Sequence, residues 1–265
     1  MQLRIKAPHY NRFVLPEAQR DSLGVVLVSP RNPLNIGAAA RAMANFGFQR
    51  LSVVAPFEPT WREARSAVGA PELLVNAVES ATLAEAVAGC TLVVGTGTLT
   101  RRKAEQRVVA LPELAPLVER EMARGGRVAL VFGPEKHGLT RDDLSYCHLL
   151  VEIPTAPQQP SMNLGQAVAV CLYELIRSAD SAPEFSSATP ASSITSAATS
   201  GRLDLLAGVI EEAMREAGYS PRGMQEANRH DLRLLLRRLS LSTHDTRRIL
   251  GLFRRILWRL NRLGH

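Results

Sequence analysis

The sequence is poor in the residues that build disulfide-rich or zinc-binding folds. Its 265 residues include only three cysteines, which are Cys90, Cys147 and Cys171. They form neither a C-x-x-C pair nor a Cys/His spacing suited to zinc. We therefore expect no structural disulfides, as is usual in a reducing compartment, and no required metal.

Long apolar runs are also missing. No stretch reaches the roughly 18 to 20 apolar residues of a membrane span, and residues 1–20 hold no apolar run of signal-peptide length. We therefore expect a cytoplasmic protein with no membrane partner. With 46% hydrophobic and 22% charged residues, the chain has the composition of an ordinary globular protein.

Positive charge is concentrated in the last quarter of the chain. The formal net charge is +7, and residues 201–265, with 13 arginines against 7 acidic residues, carry +6 of it. The planar guanidinium fork suits phosphate better than the point charge of lysine does. This distribution favours a polyanionic partner for the tail, although rows of arginine on a helix are often only a solvated face.

The first two thirds of the chain alternates buried runs with helical patterns. Such alternation predicts an α/β fold over residues 22–178, a parallel sheet with helices on both faces. Two capping boxes mark helix starts, and Asn35 is predicted to cap a helix that runs to Phe46. The boxes are Thr82 with Glu85 and Thr140 with Asp143. The predicted strands are Leu23–Ser29, Leu51–Ala55, Thr91–Gly95, Arg127–Phe132 and Leu149–Ile153.

The remainder divides into a linker and a helical tail. Residues 179–200, rich in Ser, Ala and Thr, are predicted to be a flexible linker, and residues 201–265 a small basic all-α domain. Residues 1–21 are treated as an N-terminal extension. In the helix predicted over Asn228–Leu239, four leucines follow a helical period, and a row of arginines lies on another face. The leucines are Leu232, Leu235, Leu236 and Leu239.

Three segments stand out, and each directly follows a predicted strand. The first, residues 32–43, places Arg41 as the one charged side chain in an otherwise apolar helix. The second, residues 131–139, has two glycines that allow a ligand to approach the backbone closely, although they equally suit a tight turn. The third runs from Ile153 through a short loop to residues 160–167, where Asn163 is also suited to cap a helix.

In order, spacing and strand context these segments resemble the three signature motifs of the SpoU/TrmH-type (SPOUT) RNA 2′-O-methyltransferases. The resemblance implies a C-terminal trefoil knot, a homodimer and S-adenosyl-L-methionine as cofactor. It makes Arg41, Asn35, Glu135, Ser161 and Asn163 catalytic. It places the cofactor against Thr96, Gly97, Thr98, Gly133, Ile153, Ser161, Met162, Asn163 and Leu164.

Within that family the chain is similar to the TrmJ-type branch. Residues 93–98 resemble its cofactor loop, and residues 228–238 and 242–256 resemble its helical extension. The branch methylates tRNA at the ribose of anticodon-loop position 32, so tRNA is the implied partner. The implied RNA-binding residues are Arg229, Arg233, Arg237, Arg255 and Arg259.

Three other functions fit parts of the sequence. A ribosomal-RNA 2′-O-methyltransferase would share the motifs, and a catalytically inactive RNA-binding protein would share the basic tail. A dinucleotide-dependent oxidoreductase would use Gly95-Thr96-Gly97, but Thr100 stands where the third glycine belongs, and the loop follows a middle strand. Which pyrimidine is methylated, and which group accepts the proton, are left open.

Overall fold

The computed structural model describes residues 15, 17–97, 104–177, 196–219 and 223–263. Its strands are β1 (Leu23–Val28), β2 (Arg50–Val54), β3 (Val78–Ser80), β4 (Leu92–Thr96), β5 (Arg107–Ala110), β6 (Val128–Phe132) and β7 (Leu149–Glu152). Its helices are α1 (Glu17–Arg20), α2 (Pro33–Asn45), α3 (Pro71–Val75), α4 (Leu83–Val87), α5 (Leu114–Ala123), α6 (Arg141–Ser145), α7 (Leu164–Ile176), α8 (Ser200–Glu216), α9 (Gln225–Arg238) and α10 (Thr243–Leu263). Two short 3-10 helices span Trp61–Glu63 and Leu111–Glu113.

The described strands form one seven-stranded sheet in the order β3-β2-β1-β6-β4-β7-β5. Every pairing is parallel, as predicted. All five predicted strands are present. The two strands that were not predicted, β3 and β5, lie at the edges and expose most of their residues. They therefore lack the continuous apolar run that marks a strand buried on both faces.

Helices cover both faces of the sheet. One face packs with α2, α3, α5 and α7 into the larger hydrophobic core. The other face packs with α4 and α6 around buried residues such as Val93 and Val131. The prediction of an α/β fold with two helical layers is confirmed. Burial of these apolar surfaces is the main free-energy gain of folding.

The start of α2 differs from the prediction. Asn32, not Asn35, is the N-cap: its Oδ1 accepts a hydrogen bond from the Leu34 N–H at 2.9 Å, and Pro33 is the first helical residue. Proline suits that position because its fixed φ fits the helix and its missing N–H has no intrahelical partner there. Asn35 lies further along the first turn, which leaves its side chain free for other contacts. Both predicted capping boxes are present.

The tail folds as α8, α9 and α10 around a small core of its own. Leu236 is buried there with Leu206 and Ile210, but Leu235 and Leu239 are exposed, and Leu234 is buried instead. The prediction of which face of α9 is buried was therefore only partly right. The helix is buried on two sides, because it packs against α8 on one and against α6 on the other.

At both ends of the α/β domain, residues predicted to lie outside it make contacts with it. Leu15 is fully buried in the main core, and Arg20 donates to its carbonyl, so part of the N-terminal extension packs on the domain. At the end of the predicted linker, the Ser200 N–H donates to the Cys90 carbonyl at 2.8 Å, and the Gly201 N–H to the Ala88 carbonyl at 3.0 Å. These bonds join the start of α8 to the end of α4.

Among the residues that the structure describes, none of the helices has the length and apolar character needed to cross a lipid bilayer.

Candidate functional site

A cleft of about 510 Å³ opens at the carboxyl ends of three adjacent strands, β6, β4 and β7. The carboxyl edge of a parallel sheet is the usual ligand site of open α/β folds, since the loops that leave neighbouring strands meet there. Thr96 and Gly97 end β4, Gly133 follows β6, and Ile153 follows β7, and all four line the cleft.

The loop of the second motif, residues 133–139, forms one wall of the cleft. It is closed by a hydrogen bond of 2.8 Å from the Gly138 N–H to the Pro134 carbonyl, and Gly138 has a φ of +64°. A Cβ added to Gly133 would lie 2.2 Å from the Leu139 nitrogen. Any side chain at Gly133 would therefore push the loop away from the strand, so the close approach of two backbone segments requires glycine here.

The third motif supplies the opposite wall. Within its loop the Thr155 hydroxyl donates to the Pro160 carbonyl at 3.2 Å, which brings the ends of the loop together. Ser161 and Met162 then line the cleft just before α7 begins. Asn163 caps α7, because its Oδ1 accepts from the N–H groups of Gly165 and Gln166.

A chain of side-chain hydrogen bonds joins all three motifs. The Asn163 Nδ2 donates to the Asn35 Oδ1 at 2.9 Å, and the Asn35 Nδ2 donates to the Glu135 Oε1 at 2.7 Å. Because the Asn163 Oδ1 is occupied by the helix cap, only its amide N–H₂ can face Asn35. The direction of each bond in the chain is thereby fixed, and it ends on a carboxylate.

Glu135 also accepts two backbone hydrogen bonds, from the N–H groups of Arg31 and Asn32. Partial burial by itself raises the pKa of a carboxyl group, but the bonds from Asn35 and from these backbone groups lower the pKa of Glu135 below its ordinary value. The carboxylate is therefore held ionised at neutral pH. It fixes the start of α2 against the loop of the second motif.

The predicted cofactor residues lie together with few exceptions. Asn163 is not among the lining residues, since its side chain is directed to Asn35 and to the start of α7. Thr98 lies outside the described residues. The predicted residues that line the cleft are Thr96, Gly97, Gly133, Ile153, Ser161, Met162 and Leu164.

Several lining residues were not singled out from the sequence. Lys136 and His137 belong to the second motif, and its flanking glycines were the available signal for them. Leu144 and Leu150 come from α6 and β7, where their apolar character indicated only burial. They bring apolar surface to the walls of the cleft.

Arg41 lies outside the cleft of the single chain. It is exposed on α2, one turn beyond Ala38, which packs against Gly165 at the start of α7. Arg41 has no hydrogen bond or ion pair with any residue that the structure describes. The outer surface of the α2–α7 pair also exposes Leu34 and Tyr173, which are 56% and 51% accessible.

The predicted RNA-binding arginines divide into two groups. On α9, Arg229 pairs with Glu211 at 2.6 Å, Arg233 with Asp142 at 2.8 Å, and Arg237 with Asp204 at 2.8 Å. The side chain of Arg237 is only 1% exposed, so the expectation that it meets RNA at the surface is wrong. The helix turns this row of its arginines toward α8 and α6, which the spacing alone could not show.

On α10, by contrast, Arg255 and Arg259 are exposed. The guanidinium carbon of Arg255 lies 4.2 Å from the centre of the Trp258 ring, and that of Arg262 lies 4.7 Å from it. Within the described part of the chain, none of the six arginines of α10 forms an ion pair with a carboxylate. This helix therefore presents unneutralised positive charge to solvent.

A group of potential metal ligands lies away from the cleft. Donor atoms of Glu105, His230 and Asp231 are all within 4.8 Å of one another. Arg141 already pairs with Glu105 at 3.0 Å, and its positive charge competes with any cation for that carboxylate. The group is more simply a set of contacts between α9 and the α/β domain.

Comparison with known proteins supplies the family. The SpoU rRNA Methylase family matches residues 22–173. The tRNA (cytidine/uridine-2'-O-)-methyltransferase TrmJ of Pectobacterium atrosepticum is 38% identical over 160 residues, which are 58% of this chain and 64% of that protein. The tRNA (cytidine/uridine/adenosine-2'-O-)-methyltransferase TrmJ of Pseudomonas aeruginosa is 40% identical over 156 residues, 58% of this chain and 60% of its own length. The chain thus spans less than two thirds of these relatives.

A solved structure extends the likeness to the tail. TrmJ from Z. mobilis ZM4 is 30% identical and superposes with a TM-score of 0.75, over 88% of this chain and 98% of that one. The match therefore includes helices beyond the α/β domain. Since the family match covers more than half of the sequence, the chain belongs to the SpoU methylase family.

Proposed function

We propose that the protein is an S-adenosyl-L-methionine-dependent tRNA (cytidine/uridine-2′-O-)-methyltransferase that acts on the pyrimidine ribose at position 32 of the anticodon loop. The observation that carries the proposal is the hydrogen-bonded chain Asn163–Asn35–Glu135, which joins three motifs beside one cleft. The named relatives support tRNA as the substrate, and the similarity of the helical tail to TrmJ favours tRNA over ribosomal RNA.

The cleft fits the proposed cofactor in size and chemistry. Its volume of about 510 Å³ lies within the usual range of small-molecule sites. Leu144, Leu150 and Leu164 offer apolar surface to an adenine ring. A Cβ at Gly97 would meet no atom within 4 Å, so the backbone of this strand end is open to a ligand edge. The exposed Lys136 beside the cleft is suited to a carboxylate such as that of methionine.

The cofactor supplies a methyl group on a sulfonium, and the residues of the chain position the ribose that receives it. We assign Arg41 to stabilising the oxygen that loses its proton, or to holding the adjacent phosphate. A guanidinium retains its own proton and is a poor general base. Asn35, Glu135 and Asn163 hold the three motifs in register, and Ser161 lies at the cleft where the ribose would enter.

The proposed active unit is a homodimer whose domains each carry the trefoil knot of the family. The exposed apolar side chains of Leu34 and Tyr173 support pairing through α2 and α7, since this surface also carries Arg41. A dimer formed there would bring Arg41 close to a second chain. Analytical ultracentrifugation of the protein and of Tyr173→Glu tests this, with dissociation of the variant as the expected result.

For RNA contact we propose α10 in place of α9. Its exposed Arg255 and Arg259 have no carboxylate partner among the described residues, and the guanidinium groups of Arg255 and Arg262 lie against the Trp258 ring. Stacking on an aromatic ring reduces the freedom that a guanidinium loses when it binds phosphate. Arg229 and Arg233 are engaged with carboxylates and would contribute less.

This assignment predicts how tRNA binding depends on salt. The slope of log K against log salt concentration is negative, and each phosphate contact that is lost reduces its magnitude by about 0.7 to 0.9. The double variant Arg255→Ala/Arg259→Ala is expected to weaken tRNA binding at low salt and to reduce the magnitude of that slope by about 1.4 to 1.8. Arg215→Ala on α8, whose arginine is paired with glutamates, is the matched control. Equal slopes for the two variants would remove α10 from the RNA contact.

The decisive experiment for the whole function is mapping of 2′-O-methylation at nucleotide resolution. Bulk tRNA and ribosomal RNA are incubated with the protein and S-adenosyl-L-methionine, and modified positions are read by mass spectrometry. Methylation at position 32 of tRNA is expected. Arg41→Ala is expected to abolish it, and Arg124→Ala, an exposed arginine at the end of α5, to leave it intact. Methylation of ribosomal RNA alone would refute the tRNA assignment.

A further inference from the structure

Helix α6 separates the cleft from the helical tail. It has only five residues, and it follows directly on the loop of the second motif. Leu144 of α6 and Leu139 just before it both line the cleft. A helix of this length has little stability of its own, so its position depends on what packs against it. Any shift of α6 would therefore change the shape of the cleft wall.

Helix α9 of the tail packs against the side of α6 that faces away from the cleft. The Arg233 Nη1 donates to the Asp142 Oδ1 at 2.8 Å and lies 3.5 Å from the Ser145 Oγ. Its guanidinium carbon is 4.4 Å from the centre of the Tyr146 ring, and that of Arg237 is 5.4 Å from the same ring. One side chain thus contacts the first turn of α6 and the residue that ends it.

A second link joins the same elements beside the first. The Gln106 Nε2 donates to the Leu144 carbonyl at 2.6 Å, which ties the segment before β5 to α6. The neighbouring Glu105 pairs with Arg141 of α6 at 3.0 Å and lies 3.5 Å from the His230 Nε2 of α9. Helix α9 is thus connected to α6 directly and also through the segment that contains Glu105.

Burial distinguishes these contacts from chance surface pairs. The side chain of Arg233 is 18% exposed although its partner Asp142 is 71% exposed. Arg237 behind it is almost fully buried against Asp204 of α8. An exposed ion pair alone contributes little, but a guanidinium that is stacked, bonded and mostly buried is held in one orientation. Arg233 is therefore a structural contact between the tail and the wall of the cleft.

We propose that Arg233 is a positioning residue for cofactor binding, through which α9 holds α6 and thereby the cleft wall formed by Leu139 and Leu144. The inference rests on the proposed assignment of the cleft to S-adenosyl-L-methionine. Because α9 belongs to the tail, this contact also couples the RNA-contacting tail to the cofactor cleft. Nucleic acid that displaces α9 would change cofactor affinity, and bound cofactor would change the docking of the tail by the same factor.

The test measures S-adenosyl-L-methionine binding to the full chain without RNA, by isothermal titration calorimetry. Arg233→Ala is expected to raise the Kd about three- to tenfold, since it removes one ion pair and one cation–π contact. Arg233→Lys, which keeps a cation for Asp142 but loses the planar stack on Tyr146, is expected to recover part of the affinity. Arg229→Ala is the matched control, because it breaks an ion pair on the same helix that does not touch α6.

Steady-state methyl transfer separates positioning from a general loss of folding. Partial unfolding lowers kcat by reducing the active fraction, whereas a displaced α6 raises the KM for S-adenosyl-L-methionine and leaves kcat at saturation nearly unchanged. Asp142→Asn, which preserves shape, is expected to shift the KM in the same direction as Arg233→Ala. Equal Kd values for the wild type, Arg233→Ala and Arg229→Ala would overturn the inference. Failure of the wild type itself to bind the cofactor would instead overturn the assignment of the cleft.

Discussion

The direction of hydrogen bonds through Asn35 makes a sharp prediction for Asn163→Asp. Aspartate caps a helix as well as asparagine does, so the bonds from Gly165 and Gln166 to the cap are expected to survive. The second carboxylate oxygen, however, replaces the Nδ2 that donates to the Asn35 Oδ1. Two acceptors then face each other in place of a donor and an acceptor.

The magnitude follows from the bonds that are lost. The Asn163–Asn35 bond contributes about 1 kcal/mol, and the bond from Asn35 to the ionised Glu135 contributes about 1.5 to 3 kcal/mol. Asn35 can keep only one of them favourably in the variant. Solvent reaches these side chains and relieves part of the mismatch, and the new charge is favourable at the start of α7. We therefore expect a net loss of about 1 kcal/mol in the free energy of unfolding, with reduced methyl transfer.

A double variant tests the reasoning more strictly than the single one. In Asn163→Asp/Glu135→Gln, Asn35 can turn its amide over, donating to residue 163 and accepting from residue 135. The two substitutions together are expected to cost about 1 kcal/mol less than the sum of their separate costs, measured by urea unfolding. In Asn163→Ser the hydroxyl can still cap α7, but residue 163 no longer bonds to Asn35. Adding Glu135→Gln to this variant is therefore expected to recover none of the lost free energy of unfolding. If the costs of Asn163→Asp and Glu135→Gln were simply additive in the double variant, the proposed bond directions would be refuted.

The remaining predictions concern buried titratable groups. Burial and the nearby Arg237 lower the pKa of His148 to about 3, while the His148 Nδ1 accepts from the Val93 N–H. Since the unfolded chain binds the proton first, stability is complete above about pH 6.5 and falls as the pH drops toward 3. Between pH 7 and 5 the free energy of unfolding, measured with urea, is expected to fall by at most about 2 kcal/mol. The His148→Gln variant is expected to lack that part of the pH dependence. Burial also raises the pKa of the Cys147 and Cys171 thiols to about 12, and raises that of Cys90. Thiol labelling at neutral pH is expected to modify the partly exposed Cys90 slowly and the other two only on unfolding, and rapid labelling of Cys147 in the native protein would contradict this.

Local signals were enough to predict the central architecture. The five runs of apolar residues became the five central strands, because a strand buried on both faces leaves a continuous pattern in sequence. The three motifs follow β1, β6 and β7, and parallel strands bring their carboxyl ends to one edge. Most residues of the cleft could therefore be placed from their position after a strand. The edge strands β3 and β5 could not, because they are short and mostly exposed.

What the sequence determined was which residues are apolar, where the two capping-box helices α4 and α6 start, and which loops share an edge of the sheet. Only the tertiary structure decided what covers each surface. It turned Asn35 from a predicted cap into the link between Asn163 and Glu135. It buried Arg237 against Asp204 and left Arg255 in solvent, although both lie in rows of similar helical spacing. The physical reason is that periodicity records the faces of a helix, whereas burial and charge pairing depend on neighbours that lie far away in sequence.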